Sequence, residues 1–220
     1  PRSRGLGDVY KRQAFYQRPA PDGSRPGVYF ANLYDMKNMS KFNMQALAYH
    51  EGIPGHHMQI SIAQELENIP KFRLYGGFTV FNEGWALYSE AIPKELGFYT
   101  DPFSDFGRLA GELYRACRLV VDTGIHAKKW SRERAIEYMN NNVPHSKNYN
   151  VRQIERYIVM PSQATAYKIG MIKIQELREL AESSLGDRFD IRGFHDVVLK
   201  NGSVTMPILE SNVKKWIKNQ

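Results

Sequence analysis

The tightest constraint on this chain is the run Tyr49-His50-Glu51-Gly52-Ile53-Pro54-Gly55-His56-His57-Met58-Gln59. It sets three of the six histidines and one carboxylate within eight residues and breaks them with Pro-Gly. Neutral imidazoles are the usual nitrogen ligands of Zn²⁺, and a Glu beside the first can act as general base for a water that the metal polarises. The familiar pattern is H-E-x-x-H, in which four helical residues turn through about 400° and rise about 6 Å, so both rings face one ion. Here His50 to His56 would turn through about 600° on a regular helix, and His57 would return to the same face roughly 10 Å further along. A regular helix cannot chelate with either spacing. Pro54 removes a backbone donor and Gly55 tolerates unusual dihedrals, so Gly52-Ile53-Pro54 is expected to form a bulge. Absorbing two residues brings His56 to the second-histidine position; His57 would need three and ranks behind it.

A separate helix must then supply a third ligand. Glu83, 27 positions after His56, opens the segment Glu83-Gly84-Trp85-Ala86-Leu87-Tyr88-Ser89-Glu90, with Asn82 as a candidate cap. Glu90, two turns on, is placed to orient a ligand imidazole from outside.

The rest of the sequence predicts a mainly helical chain. A helix is expected over residues 43–67, another from Pro102 to about Trp130, one after Ser131, one capped by Asn150 up to Met160, and a long one from Pro161 past Tyr167. Two final helices are expected around 191–200 and 207–218. Residues 14–25 read as an extended surface segment. Residues 27–33 carry the aromatic and branched bias of a short strand before the metal-site helix, either running beside a cleft or forming a surface hairpin arm. Trp85 and Trp130 are assigned to the core. His145 and His195 have no evident partner.

A chain of 220 residues can bury a real core. No apolar run approaches the ~20 residues of a membrane span, and the single Cys117 excludes an internal disulfide. Residues 3–13, SRGLGDVYKRQ, resemble a translated sequencing adapter, so residues 1–13 are set apart as non-native and 14–220 treated as the protein proper. Net charge is +7; Arg2, Arg4, Lys11, Arg12 and Asp8 account for +3 of it. The remaining +4 is dispersed, which argues against a nucleic-acid partner.

Assembled, HEGIPGHHMQ at His50–Gln59, NEGWALYSE at Asn82–Glu90, RLVVDTGIHAKKW at Arg118–Trp130, PSQATAYKIG at Pro161–Gly170 and the ending FDIRGFHDVVLKNGSVTMPIL resemble a bacterial family of zincin-like proteins catalogued as domain of unknown function 885. The resemblance covers residues 14–220. It implies a zincin-like helical metallopeptidase fold of which this chain is the C-terminal, metal-bearing portion. It also implies a periplasmic or secreted location, with a cytoplasmic one left open.

Spacing and resemblance together assign His50, His56 and Glu83 as Zn²⁺ ligands and Glu51 as the base. His126 and Tyr167 are candidate oxyanion donors, with Tyr157 as the substitute for Tyr167. His126 has a competing expectation, an ion pair with Asp122 one turn away. Arg118 either grips a substrate carboxylate or pairs with a nearby acid, the second being preferred. The expected activity is zinc-dependent hydrolysis, foremost of peptides. The alternatives are a hydrolase of another small amide and a metal-binding scaffold without catalysis.

Overall fold

The computed structural model describes residues 14–31, 40–67 and 69–220, so the adapter-like segment lies outside it. Two three-residue strands, β1 (Phe15–Gln17) and β2 (Val28–Phe30), pair antiparallel with Tyr16 opposite Tyr29. Everything else with regular structure is helical. Chain order gives α1 (Met44–Glu51), α2 (His56–Glu65), α3 (Lys71–Tyr75), α4 (Thr79–Ser89), α5 (Ile92–Glu95), α6 (Pro102–Lys128), α7 (Arg132–Asn142), α8 (Lys147–Val159), α9 (Gln163–Leu185), α10 (Ile191–Leu199) and α11 (Met206–Lys218). Among the described residues no helix is long and apolar enough to cross a membrane.

Local chemistry sets these boundaries. The Asp101 carboxylate accepts from the Phe103 and Ser104 amides at the start of α6, where Pro102 needs no partner for its nitrogen. Lys129, left-handed at φ 55°, ends that helix. Ser131, Ser146 and Asp190 cap α7, α8 and α10 with side-chain oxygens. Two expected caps fail. Asn150 lies inside α8, fully buried, with its amide donating to Asn140 Oδ1. Asn82 lies inside α4, which Phe78 precedes, so Glu83 falls in the second turn and not the first. Each polar side chain found a nearer tertiary partner than the cap; Asn82, for example, accepts from Gln59 of α2.

Two buried clusters form the core. One joins α4, α9, α10 and α11 around Phe81, Trp85, Met171, Ile174, Phe194 and Leu209. The other joins α6, α7, α8 and the start of α9 around Cys117, Val121, Met139, Ile154, Tyr157 and Ala164. Helix α9 serves both. It crosses α4 at glycine on glycine: a Cβ on Gly84 would lie 2.5 Å from the Gly170 Cα, and one on Gly170 would lie 2.0 Å from the Val80 carbonyl oxygen. Only hydrogen at both positions permits that approach. The crossing matters because α4 carries Glu83 and α9 carries Tyr167. On α6, Phe103, Phe106, Leu109, Leu113 and Val120 form an exposed stripe at helical spacing.

Candidate metal centre

The helix expected over residues 43–67 is two helices, α1 and α2, joined by a loop of defined hydrogen bonding. The Gly55 amide donates to the Tyr49 carbonyl at 3.0 Å and the Met58 amide to the Gly52 carbonyl at 3.4 Å. Each bond reaches back six residues where an α-helix reaches back four. The loop therefore takes up two extra residues, the number that the histidine spacing required. Gly52 and Gln59 still make ordinary four-residue bonds on either side. Ile53–Pro54 is a cis peptide within the loop. Trp85 of α4, fully buried as expected, donates its indole N–H to the Pro54 carbonyl at 2.9 Å. Gly55 is required by contact: a Cβ there would fall 1.9 Å from the His50 carbonyl oxygen and 2.4 Å from that of Tyr49.

The loop delivers His56. The His50 and His56 rings lie 4.9 Å apart, nearly perpendicular. Glu83 reaches both: its Oε2 is 3.7 Å from His50 Nε2 and 3.4 Å from His56 Nε2. One ligand atom from each of the three residues lies within 4.8 Å of the others. His57 turns away, its Nδ1 lying 2.7 Å from the Tyr16 hydroxyl of β1. The hairpin is thus an arm docked beside this group, as Tyr29 also indicates. Burial raises the Tyr29 hydroxyl pKa, and the nearby charge of Glu51 raises it further.

Around the three residues sits a supporting shell. His50 Nδ1 is 2.8 Å from Glu90 Oε1, which leaves Nε2 for the group's centre. Arg115 of α6 lies 3.4 Å from the same Glu90 oxygen. Burial lowers the His50 pKa, but Glu83 and Glu90 outweigh it and raise it to about 9. Burial likewise pushes Glu83 up, and the two imidazoles hold it well below the usual carboxylate range. Glu51 is buried, and its Oε2 has no hydrogen-bond partner among the described residues.

The donor set fits a zinc ion. Ligand atoms about 2.1 Å from one tetrahedral ion are separated by about 3.4 Å, close to the 3.4 and 3.7 Å contacts of Glu83 with the two imidazoles. Two neutral nitrogens and one carboxylate also leave a fourth position open, as catalytic zinc sites do.

The candidate oxyanion donors part ways. The Tyr167 ring stacks over His50 at 6.4 Å and 18°, and its hydroxyl accepts from the Gln163 amide at 3.0 Å, which leaves its own proton to donate. His126 Nε2 lies 2.9 Å from the Tyr157 carbonyl oxygen and donates there. Its expected ion pair with Asp122 is not formed, because that carboxylate receives the Ser162 amide at the start of α9. Tyr157 pairs its hydroxyl with Tyr114 in the second core cluster.

Arg118 overturns the preference for an acidic partner: among the described residues no carboxylate pairs with it. His145 stacks on Tyr114 at 4.8 Å, and His195 finds the Tyr88 hydroxyl at 2.9 Å. Trp130 is half-buried at the edge of the second cluster, with the Arg134 guanidinium 4.2 Å over its ring.

Sequence reasoning missed Arg115, Gln163 and Tyr16. The first two carried a signal, Arg115 sitting one turn before Arg118 and Gln163 one turn before Tyr167. Tyr16 carried none, since 41 residues separate it from His57.

These features define a mainly helical protein with a His–His–Glu group at a helix junction. The chain belongs to the DUF885 family, described as bacterial protein of unknown function, which it matches over residues 8–213. That match begins inside the segment set apart as adapter-like. A crystal structure described as a putative lipoprotein from Colwellia psychrerythraea superposes with a TM-score of 0.92 at 50% identity, over 94% of this chain and 36% of that one. A putative lipoprotein of unknown function from Shewanella oneidensis gives 0.79 at 25% identity, over 90% and 38%. The chain therefore spans little more than a third of either. No curated protein matches it.

Proposed function

We propose that this chain carries the metal centre of a zinc-dependent hydrolase acting on peptides or small amides. The observation that carries the reading is the convergence of His50, His56 and Glu83, with the buried carboxylate of Glu51 next in sequence, one oxygen of which has no hydrogen-bond partner among the described residues. His50, His56 and Glu83 would hold the ion. When bound, zinc supplies Lewis-acid polarisation of a scissile carbonyl and makes water more acidic. Glu51 accepts the proton of the attacking water and returns it to the departing amine. Tyr167 is the favoured oxyanion donor, because it stacks on His50 while the Nε2 proton of His126 is engaged elsewhere. Glu90 fixes the His50 tautomer from outside. The relation to zincins and an exported location belong to the same proposal. The likeness to structures named putative lipoproteins supports the location.

The test is metal content together with turnover on a peptide library. We expect one zinc per chain, lost when His50, His56 and Glu83 are all replaced by Ala. Glu51→Gln should keep the zinc while turnover falls by about 10²–10⁴-fold. Stoichiometric zinc in the triple variant, or full turnover in Glu51→Gln, overturns the reading. Zinc without turnover on any peptide or amide favours a binding scaffold.

A further inference from the structure

Arg118 is a buried guanidinium, 3% exposed, with no carboxylate partner among the described residues. Its surroundings are aromatic: Cζ lies 4.2 Å from the Tyr167 ring centre, 5.3 Å from Tyr157 and 5.5 Å from Tyr114. Such faces stabilise a cation but satisfy none of its N–H donors. Nη2 donates to Gln163 Oε1 at 3.1 Å, and the buried Nε has no acceptor among the described residues. Arg115, one turn earlier on α6, differs in having a carboxylate, that of Glu90 at the end of α4, 3.4 Å away. A buried, always-charged fork whose described acceptor is a neutral amide, with no carboxylate beside it among the described residues, fits a ligand that brings the negative charge with it.

The fork stands beside the metal group. Tyr167 is stacked against the Arg118 guanidinium on one contact and against the His50 ring on the other. Gln163 ties both, accepting from Arg118 and donating to the Tyr167 hydroxyl. We infer that Arg118 receives a substrate carboxylate, which would make the substrate class peptides or N-acyl amino acids with a free terminal carboxylate. The inference rests on the hydrolase reading above. Gln163 is then a positioning residue that sets the Arg118 and Tyr167 donors in one orientation.

Calorimetry on the zinc-loaded Glu51→Gln protein, in which turnover is suppressed, tests this with two probes, N-acetylphenylalanine and N-acetylphenylalaninamide. A third probe, N-acetylglutamic acid 1-amide, keeps a side-chain carboxylate while its terminal one is blocked. The acid should bind at least 10-fold more tightly than the amide, with the 1-amide resembling the amide. Arg118→Gln should bring the acid-to-amide ratio to near one, and Arg118→Lys, which keeps the charge and loses the fork, should leave it intermediate. Because the ratio is read first with Arg118 unaltered, a folding defect in either Arg118 variant does not shield the inference. Equal binding of acid and amide overturns it, as does a preference that survives in folded Arg118→Gln. Turnover on amidated and free peptides alike removes this inference alone. A carboxylate preference without any turnover removes the hydrolase reading alone.

Discussion

At the scale of single residues, His50 is held from both sides by carboxylates. Glu83 and Glu90 overcome burial to keep its pKa near 9, so in metal-free protein at neutral pH the ring is an imidazolium. A metal must displace that proton. Zinc affinity should therefore rise about tenfold per pH unit from pH 6 to 8 and level off near 9; competition with a chelator of known affinity measures the slope. The sign follows from the direction of the shift: below the raised pKa the proton competes, and above it none is bound. The same pairing stabilises the metal-free fold fully below pH 6.5, and that contribution fades as pH climbs through 9. Glu90→Gln should weaken zinc by about 10–100-fold while every direct ligand remains; unchanged affinity would show that the shell does not tune the site. Much of this was legible in the residues themselves. His50, His56 and Glu83 converge because their chemistry and spacing allowed little else. Arg118's lack of an acid was not legible, because a missing partner depends on helices far apart in sequence.

At the scale of elements, pattern located the helices well, and errors concentrated at their ends. Ser131, Asp190 and Pro102 mark true starts, since each acts on its own backbone. Asn82 and Asn150 misled because a capping side chain is also a good tertiary hydrogen-bonder, and sequence does not reveal which role wins. The glycines at the α4–α9 crossing are a tertiary requirement of the same kind. Gly170→Ala should destabilise the protein by about 1–3 kcal/mol through overpacking, well beyond the few tenths to 1 kcal/mol that Ala ordinarily gains over Gly in a helix. Chemical denaturation measures the sign: an increase in stability would mean that the crossing relaxes freely. Because α4 brings Glu83 and α9 brings Tyr167, the same variant should also weaken zinc binding.

At the scale of the whole molecule, the His–His–Glu group joins α1, α2 and α4, while α9 contributes to both core clusters. A ligand that grips three helices should stabilise the native chain by mass action, by about 2.7 kcal/mol at a hundredfold excess over Kd. Thermal unfolding should shift upward with zinc, return with chelator, and show no shift in His56→Ala. An equal shift in that variant would place the ion elsewhere. The mainly helical architecture was readable from composition and periodicity; the docking of the hairpin on His57 was not, since it depends on one hydroxyl reaching across the fold. The loop at Gly52–Gly55 has one more consequence. By swallowing two peptide units it makes the gap between imidazole nitrogens independent of the count of letters between histidines. Searches for such sites that fix the letter count will pass over chains like this one, whereas a search on nitrogen separation will not.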